Sequence, residues 1–251
     1  MCGLLGVVSG EKGFSGLTPV TKFMKDGCHV GMLRGRDSTG MFQVDHRNII
    51  DVHKLPITGD QFVETKRASA MMGRSDAMPI TILHHRAATK GAVNYENSHP
   101  FTHEDGKRML VGVHNGSLTT WENKYDGLEF NVDSDYAFYR IFKDGNEAFK
   151  EIYGAYAFIW WESDGKLRMA CNGQRELHFA FIHKKNAMLV ASEEGMLWWL
   201  ADRNDIKIDA ILRPNEHKLL TFDPKGDLRD FADEDIPKPH YKVTASGGSY
   251  R

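Results

Sequence analysis

The sequence predicts one α+β domain in which two mainly antiparallel sheets pack together, with helices covering them on the outside. Three observations carry this expectation. Ala155–Trp160 is apolar at every position, as in a strand covered on both faces. Ser163-Asp164-Gly165 and Lys184-Lys185-Asn186 each separate two short runs that read as paired strands. Helical patterns fall between groups of such strands, and no internal repeat or linker divides the chain before its Pro-, Ser- and Gly-rich end.

Taken in order, residues 2–8 read as a short buried strand punctuated by Gly3 and Gly6. Thr18-Pro19 marks a helix start, with Val20, Phe23, Met24 and Cys28 on one face of a helix running to about Leu33. Strands follow at Gly40–Val44 and Asn48–His53, then a helix over Gln61–Met72. Pro79–His84 and Met109–Val113 read as central strands that end in polar residues able to line a site. Ser134 is placed as the cap of a helix through Phe142, and Glu147–Tyr153 as another helix. Lys166–Cys171, Leu177–His183, Ala187–Ser192 and Lys218–Phe222 complete the strands, with a helix at Glu194–Arg203. The domain is expected to span 2–234, followed by a loosely held tail over 235–251.

Composition narrows the function classes. Apolar residues make up 41% and charged residues 26% of 251, enough to bury a core without disulfide or metal staples. Thirty-two Lys+Arg against 34 Asp+Glu leave a net charge of -2, so no global basic field recruits nucleic acid. No apolar run approaches bilayer length. The first residues are apolar but carry no basic leader and no cleavage site, so a cytoplasmic location is expected, with Cys2, Cys28 and Cys171 as free thiols.

Five segments carry candidate chemistry. Cys2 follows the initiator methionine, and cysteine is small enough for that methionine to be removed. The product bears a thiol and a free α-amine on one residue. An unperturbed amine of pKa ~7.7–8.0 is free base in roughly one molecule in seven at pH 7, so it can deprotonate the thiol without a histidine. Arg34-Gly35-Arg36-Asp37-Ser38-Thr39-Gly40 is the second segment, otherwise a charged Gly-rich loop. The third is His85-Arg86-Ala87-Ala88-Thr89-Lys90-Gly91, with Asn97-Ser98-His99-Pro100 beyond it. An arginine at a strand end suits a carboxylate, though it equally suits a structural ion pair. The fourth, His114-Asn115-Gly116, offers an amide and a backbone N–H as oxyanion donors, or simply an Asn-Gly turn. The fifth is Asp133-Ser134-Asp135 at a helix start. A metal site at His99-x₃-His103 is not expected, because Pro100 intervenes and no paired ligand set accompanies it.

As an ordered set these segments resemble the class II glutamine amidotransferases, among the N-terminal-nucleophile hydrolases. They are similar to the glutaminase domain of glucosamine-6-phosphate synthase over roughly residues 2–200. That family's Met-Cys-Gly-Ile-Val-Gly resembles Met1–Gly6, and its Arg-Gly-Tyr-Asp-Ser-Ala-Gly resembles Arg34–Gly40. Its His-Thr-Arg-Trp-Ala-Thr-His-Gly and Asn-Ala-His-Pro resemble His84–Gly91 and Asn97–Pro100, and its His-Asn-Gly matches His114–Gly116.

The resemblance implies a four-layer αββα sandwich and hydrolysis of glutamine through a Cys2 thioester, with ammonia passed to a separate synthase partner. It implies Cys2 as nucleophile and its α-amine as base, with Asn115 and Gly116 as oxyanion donors. Arg86 and Thr89 would hold the substrate carboxylate and Asp135 its ammonium, and Arg34 would shape the site. No cofactor, metal, nucleic acid or membrane partner is implied. Ala87 and Lys90 depart from the family's tryptophan and histidine, and Asn172–Leu177 departs from its later pattern. A stand-alone γ-glutamyl amide hydrolase is the alternative, and a non-catalytic binding protein a further one.

Overall fold

The computed structural model describes residues 1–10, 20–120 and 124–239, so the predicted helix start at Thr18-Pro19 and most of the predicted tail lie outside the described residues. The strands are β1 (Gly3–Ser9), β2 (Ser38–Val44), β3 (Ile50–Leu55), β4 (Ile80–Arg86), β5 (Phe101–Glu104), β6 (Met109–Thr120), β7 (Lys124–Tyr125) and β8 (Leu128–Glu129). They continue with β9 (Tyr153–Glu162), β10 (Leu167–Cys171), β11 (His178–Ile182), β12 (Ala187–Ala191), β13 (Ile208–Leu212), β14 (Lys218–Phe222) and β15 (Ala232–Asp235). The helices are α1 (Val20–Gly31), α2 (Gly59–Glu64), α3 (Lys66–Gly73), α4 (Asp133–Asp144) and α5 (Glu194–Arg203).

A seven-stranded sheet in the order β13-β11-β12-β1-β4-β2-β3 faces a six-stranded sheet in the order β15-β14-β10-β9-β6-β5. Neighbouring strands in both are antiparallel, including the two predicted hairpins β9-β10 and β11-β12. Strand alternation sorts the apolar residues into three layers. Leu4, Val8, Ile80, Ile82, Val111, Val113, Ile159 and Val190 fill the space between the sheets. Leu5, Val7, Leu83 and Leu189 point outward, against Phe23 and Met24 of α1, Phe62 of α2, Met71 of α3 and Leu200 of α5. On the far side, Leu110, Phe158 and Trp160 receive Phe138, Ile141 and Phe142 of α4. The layers are therefore helix, sheet, sheet, helix, as the resemblance implied.

Several local expectations are corrected. The helix over Gln61–Met72 is two helices, because Thr65 adopts an extended backbone (φ -67, ψ 138) that ends α2, while its hydroxyl accepts the Ala68 N–H at 3.3 Å to cap α3. Glu147–Tyr153 is no α-helix. A 3₁₀ segment at Gly145–Lys150 gives way to β9 at Tyr153. Ser134 lies inside α4, whose N-cap is Val132, and its hydroxyl turns to His114 instead. Asn115-Gly116 makes no turn, since β6 runs on to Thr120 while paired with β9. The edge strands β5, β13 and β15 lack the apolar periodicity that would have marked them, because exposed edges need little burial. Trp198 and Trp199 on α5 are 59% and 49% exposed, and Arg203 stacks on Trp199. No described helix is long and apolar enough to cross a membrane.

Candidate active site

The site forms where the ends of β1, β4 and β6 meet the start of α4. Parity decides which side chains reach the gap between the sheets. Cys2 shares the phase of Leu4, Arg86 that of Ile82, and Asn115 that of Val113, and all three of those apolar residues point between the sheets. Gly116 has the phase of Gly112 and so faces the α4 side, where an added Cβ at Gly112 would strike Phe138.

Cys2, Arg86, Thr89, Lys90, Gly116 and Asp133 line one hollow with an empty volume of about 300 Å³, together with Asn97, His99 and His114. A larger, open hollow beside Trp198 is lined by no cysteine, serine or threonine. The Cys2 thiol is buried against the backbone of Ala87, accepting its N–H at 3.4 Å and lying 3.7 Å from its carbonyl oxygen. Burial pushes the thiol pKa up, and the Ala87 N–H, the chain's N-terminal charge and Arg86 oppose that rise.

The Arg34–Gly40 segment, which by composition alone could be a solvated loop, instead wraps the end of β4. Arg34 donates through Nε to the Cys2 carbonyl at 2.9 Å and pairs with Glu193. The Asp37 N–H reaches the Arg86 carbonyl at 2.9 Å, and the Asp37 carboxylate accepts the Ala88 N–H at 2.6 Å. Gly35 is where the two chains touch: a Cβ there would lie 2.5 Å from the Arg86 carbonyl carbon. Gly35→Ala is therefore expected to displace Arg86, lowering stability by about 1–3 kcal/mol as overpacking does. Urea unfolding would measure this, and an unchanged midpoint would contradict the contact.

Arg86 is itself buried, and donates from Nη1 to the Ala92 carbonyl at 3.1 Å and from Nη2 to the Lys90 carbonyl at 2.5 Å. This shapes residues 86–92 into a loop around the guanidinium. Asn115 is absent from the hollow's lining but buried beside it, and neither oxygen nor nitrogen of its side-chain amide has a partner. A buried amide without partners is costly unless something else uses it.

Asp135, expected to bind an ammonium group, does not line the hollow. Its carboxylate lies 3.1 Å from Nε2 of His103 on β5. Asp133 occupies the hollow in its stead, accepting the Leu118 N–H at 2.8 Å and the Ser134 N–H at 3.0 Å, with Lys90 Nζ 4.0 Å away. Two positions along a helix are about 200° apart, so the two carboxylates cannot share a face. Locating the first helical residue at 133 would have singled out Asp133.

Histidines back the site. The His84 Nε2 is 3.0 Å from the His114 carbonyl, His114 Nδ1 is 2.8 Å from the Ser134 hydroxyl, and His84 stacks on His99 at 3.9 Å. His85 points the other way, to the Cys28 carbonyl at 3.1 Å. Burial lowers His85 and His114 to about 4, and His84 and His99 well below the ordinary range, so all four are neutral. Among the described residues, no group of three or more His, Cys, Asp or Glu is arranged to hold a metal ion.

Residues 66–158, which run from α3 through β4 and β6 into β9, match the model of the family described as class-II glutamine amidotransferases. The matched segment is less than half of the chain. Similar proteins include glutamine–fructose-6-phosphate aminotransferase (isomerizing) of Encephalitozoon cuniculi, 29% identical over 143 residues. That match covers 54% of this chain but only 20% of the relative. An uncharacterised protein of Methanocaldococcus jannaschii is 31% identical over 123 residues, covering 40% of this chain and 34% of its own. In fold, the chain is similar to glutamine phosphoribosylpyrophosphate amidotransferase of B. subtilis, solved with ADP and GMP. The TM-score is 0.71 at 19% identity, over 94% of this chain and 49% of that one.

Proposed function

We propose that this hollow hydrolyses the side-chain amide of glutamine through a thioester on Cys2, releasing glutamate and ammonia. The observation that carries the reading is the meeting of the Cys2 thiol, the buried Arg86 guanidinium and the Asp133 carboxylate around one hollow, beside the unpartnered Asn115 amide. Arg86, with Thr89, binds the substrate carboxylate, and Asp133, rather than Asp135, faces the α-nitrogen. Removal of Met1 exposes the Cys2 α-amine, which takes the thiol proton as sulfur attacks the amide carbon. The Asn115 side chain and the Gly116 N–H stabilise the oxyanion. The C–N bond breaks, the amine hands its proton to departing ammonia, and water activated by the same amine cleaves the thioester. Arg34 acts indirectly, by holding the Cys2 carbonyl.

The ammonia goes to a separate synthase partner. Passage of the nitrogen to an acceptor, the coarser part of this reading, is supported by the name of one relative, glutamine–fructose-6-phosphate aminotransferase. Ammonia release from glutamine, combined with the intact mass of the mature N-terminus, tests the core of the proposal. A single Cys2 adduct with a glutamine-analogue electrophile is expected, and its absence would favour a binding protein. A stand-alone γ-glutamyl amide hydrolase would run at full rate without any partner, whereas a partnered amidotransferase accelerates when the partner is added. Asn115→Ala is expected to lower kcat by about 10²–10³ with little change in KM. A variant keeping more than about a tenth of the wild-type rate would remove Asn115 from the oxyanion role.

A further inference from the structure

We infer that the site prefers a γ-carboxamide acid whose α-nitrogen is acylated or absent, because Lys90 already occupies the ammonium position at Asp133. The inference rests on the amide-hydrolysis reading above and narrows its substrate. Lys90 Nζ stands 4.0 Å from the Asp133 carboxylate and donates to the Leu118 carbonyl, while the Leu118 N–H donates to that same carboxylate at 2.8 Å. Lys90 and Asp133, both lining the hollow, are thus linked through the peptide groups of the buried Leu118 behind them. Asp133 is 5% exposed and the Lys90 side chain 30%, so water screens their attraction only partly.

An arriving α-ammonium must evict Lys90 or share one carboxylate with it, like charge beside like charge. The charge balance points the same way. Arg86 and Lys90 are positive and Asp133 negative, so with the Cys2 thiol and α-amine in their neutral, reactive pair the lining sums to one positive charge. Free glutamine is a zwitterion of zero net charge, whereas an N-acylglutamine or 4-carbamoylbutanoate carries only its carboxylate and neutralises the hollow. The chemistry is unaltered: the S–C bond forms as the C–N bond breaks, the thiol proton leaves with ammonia, and water returns the free dicarboxylic acid and the thiol.

The test compares ammonia release by the mature protein from L-glutamine, N-acetyl-L-glutamine and 4-carbamoylbutanoate. Either amine-free amide matching or exceeding glutamine in kcat/KM is the expected result, and the acetyl compound tells an acylated nitrogen from a missing one. Glutamine ahead of both overturns the inference. Lys90→Met should raise kcat/KM for glutamine relative to 4-carbamoylbutanoate by about tenfold, and an unchanged ratio also overturns it. Ammonia from none of the three, with Cys2 unmodified by a glutamine-analogue electrophile, would instead overturn amide hydrolysis itself.

Discussion

Cys2→Ala is expected to lower ammonia release by at least about 10⁴-fold while leaving the protein folded, because a nucleophile cannot be replaced by its neighbours. Retaining Met1 should be almost as damaging. Burial keeps the Cys2 thiol protonated at neutral pH, so attack requires a base within reach. Two imidazoles line the hollow, but His114 is engaged with Ser134, and both His114 and His99 have their basicity cut by burial. On the proposed mechanism the base is the Cys2 α-amine, which exists only after cleavage. Met1 is 66% exposed and can be reached for removal. A bulky residue inserted after Met1 should block cleavage and silence the enzyme, which intact mass and an ammonia assay would establish together. Full activity with Met1 retained would mean that a histidine or water does the work of the amine. In the processed enzyme, activity should rise with pH toward the amine's range, near 8.

A second large effect is acid destabilisation. His84, His85, His99 and His114 are buried and neutral in the folded protein, with pKa values pushed below the unfolded value near 6.5. Their stabilisation is fully present above pH 6.5 and is lost as pH falls toward their folded values, since the unfolded chain then binds more protons. Between pH 7.5 and 5.5 each histidine should cost about 1.3 kcal/mol, or about 5 kcal/mol together. A domain's whole margin is only about 5–15 kcal/mol. Carboxylates such as Asp45 and Asp51, held below the usual range, stay ionised across that interval and do not contribute. Urea unfolding at the two pH values measures the difference. A change below about 1 kcal/mol would mean that these rings reach water or hold protons in the native state.

Much of the architecture was readable because it depends on periodicity and turn chemistry. The apolar run at Ala155–Trp160 became the doubly covered β9, and both predicted hairpins paired as antiparallel neighbours. What failed was decided in one place by a local cap and elsewhere by pairing and packing remote in sequence. Thr65 interrupts an otherwise helical pattern by adopting an extended backbone. Asn115-Gly116 has strong turn chemistry, yet β9 pairs through it and holds it as strand. Trp198 and Trp199 look like core residues in composition, but α5 turns them outward.

The candidate site divides in the same way. The ordered segments, through the resemblance they carry, named Cys2, Arg86, Thr89, Asn115 and Gly116 as candidates, and all of these but Asn115 line the hollow. Which carboxylate faces the hollow was settled only by the tertiary fold. The pitch of α4 turns Asp133 toward Cys2 and Asp135 toward His103, and the loop held by Arg86 brings Lys90 to Asp133. A chain's residues specify which groups are available. Their direction and neighbours follow from strand phase, helix start and loop path, which are set by packing between segments far apart in sequence.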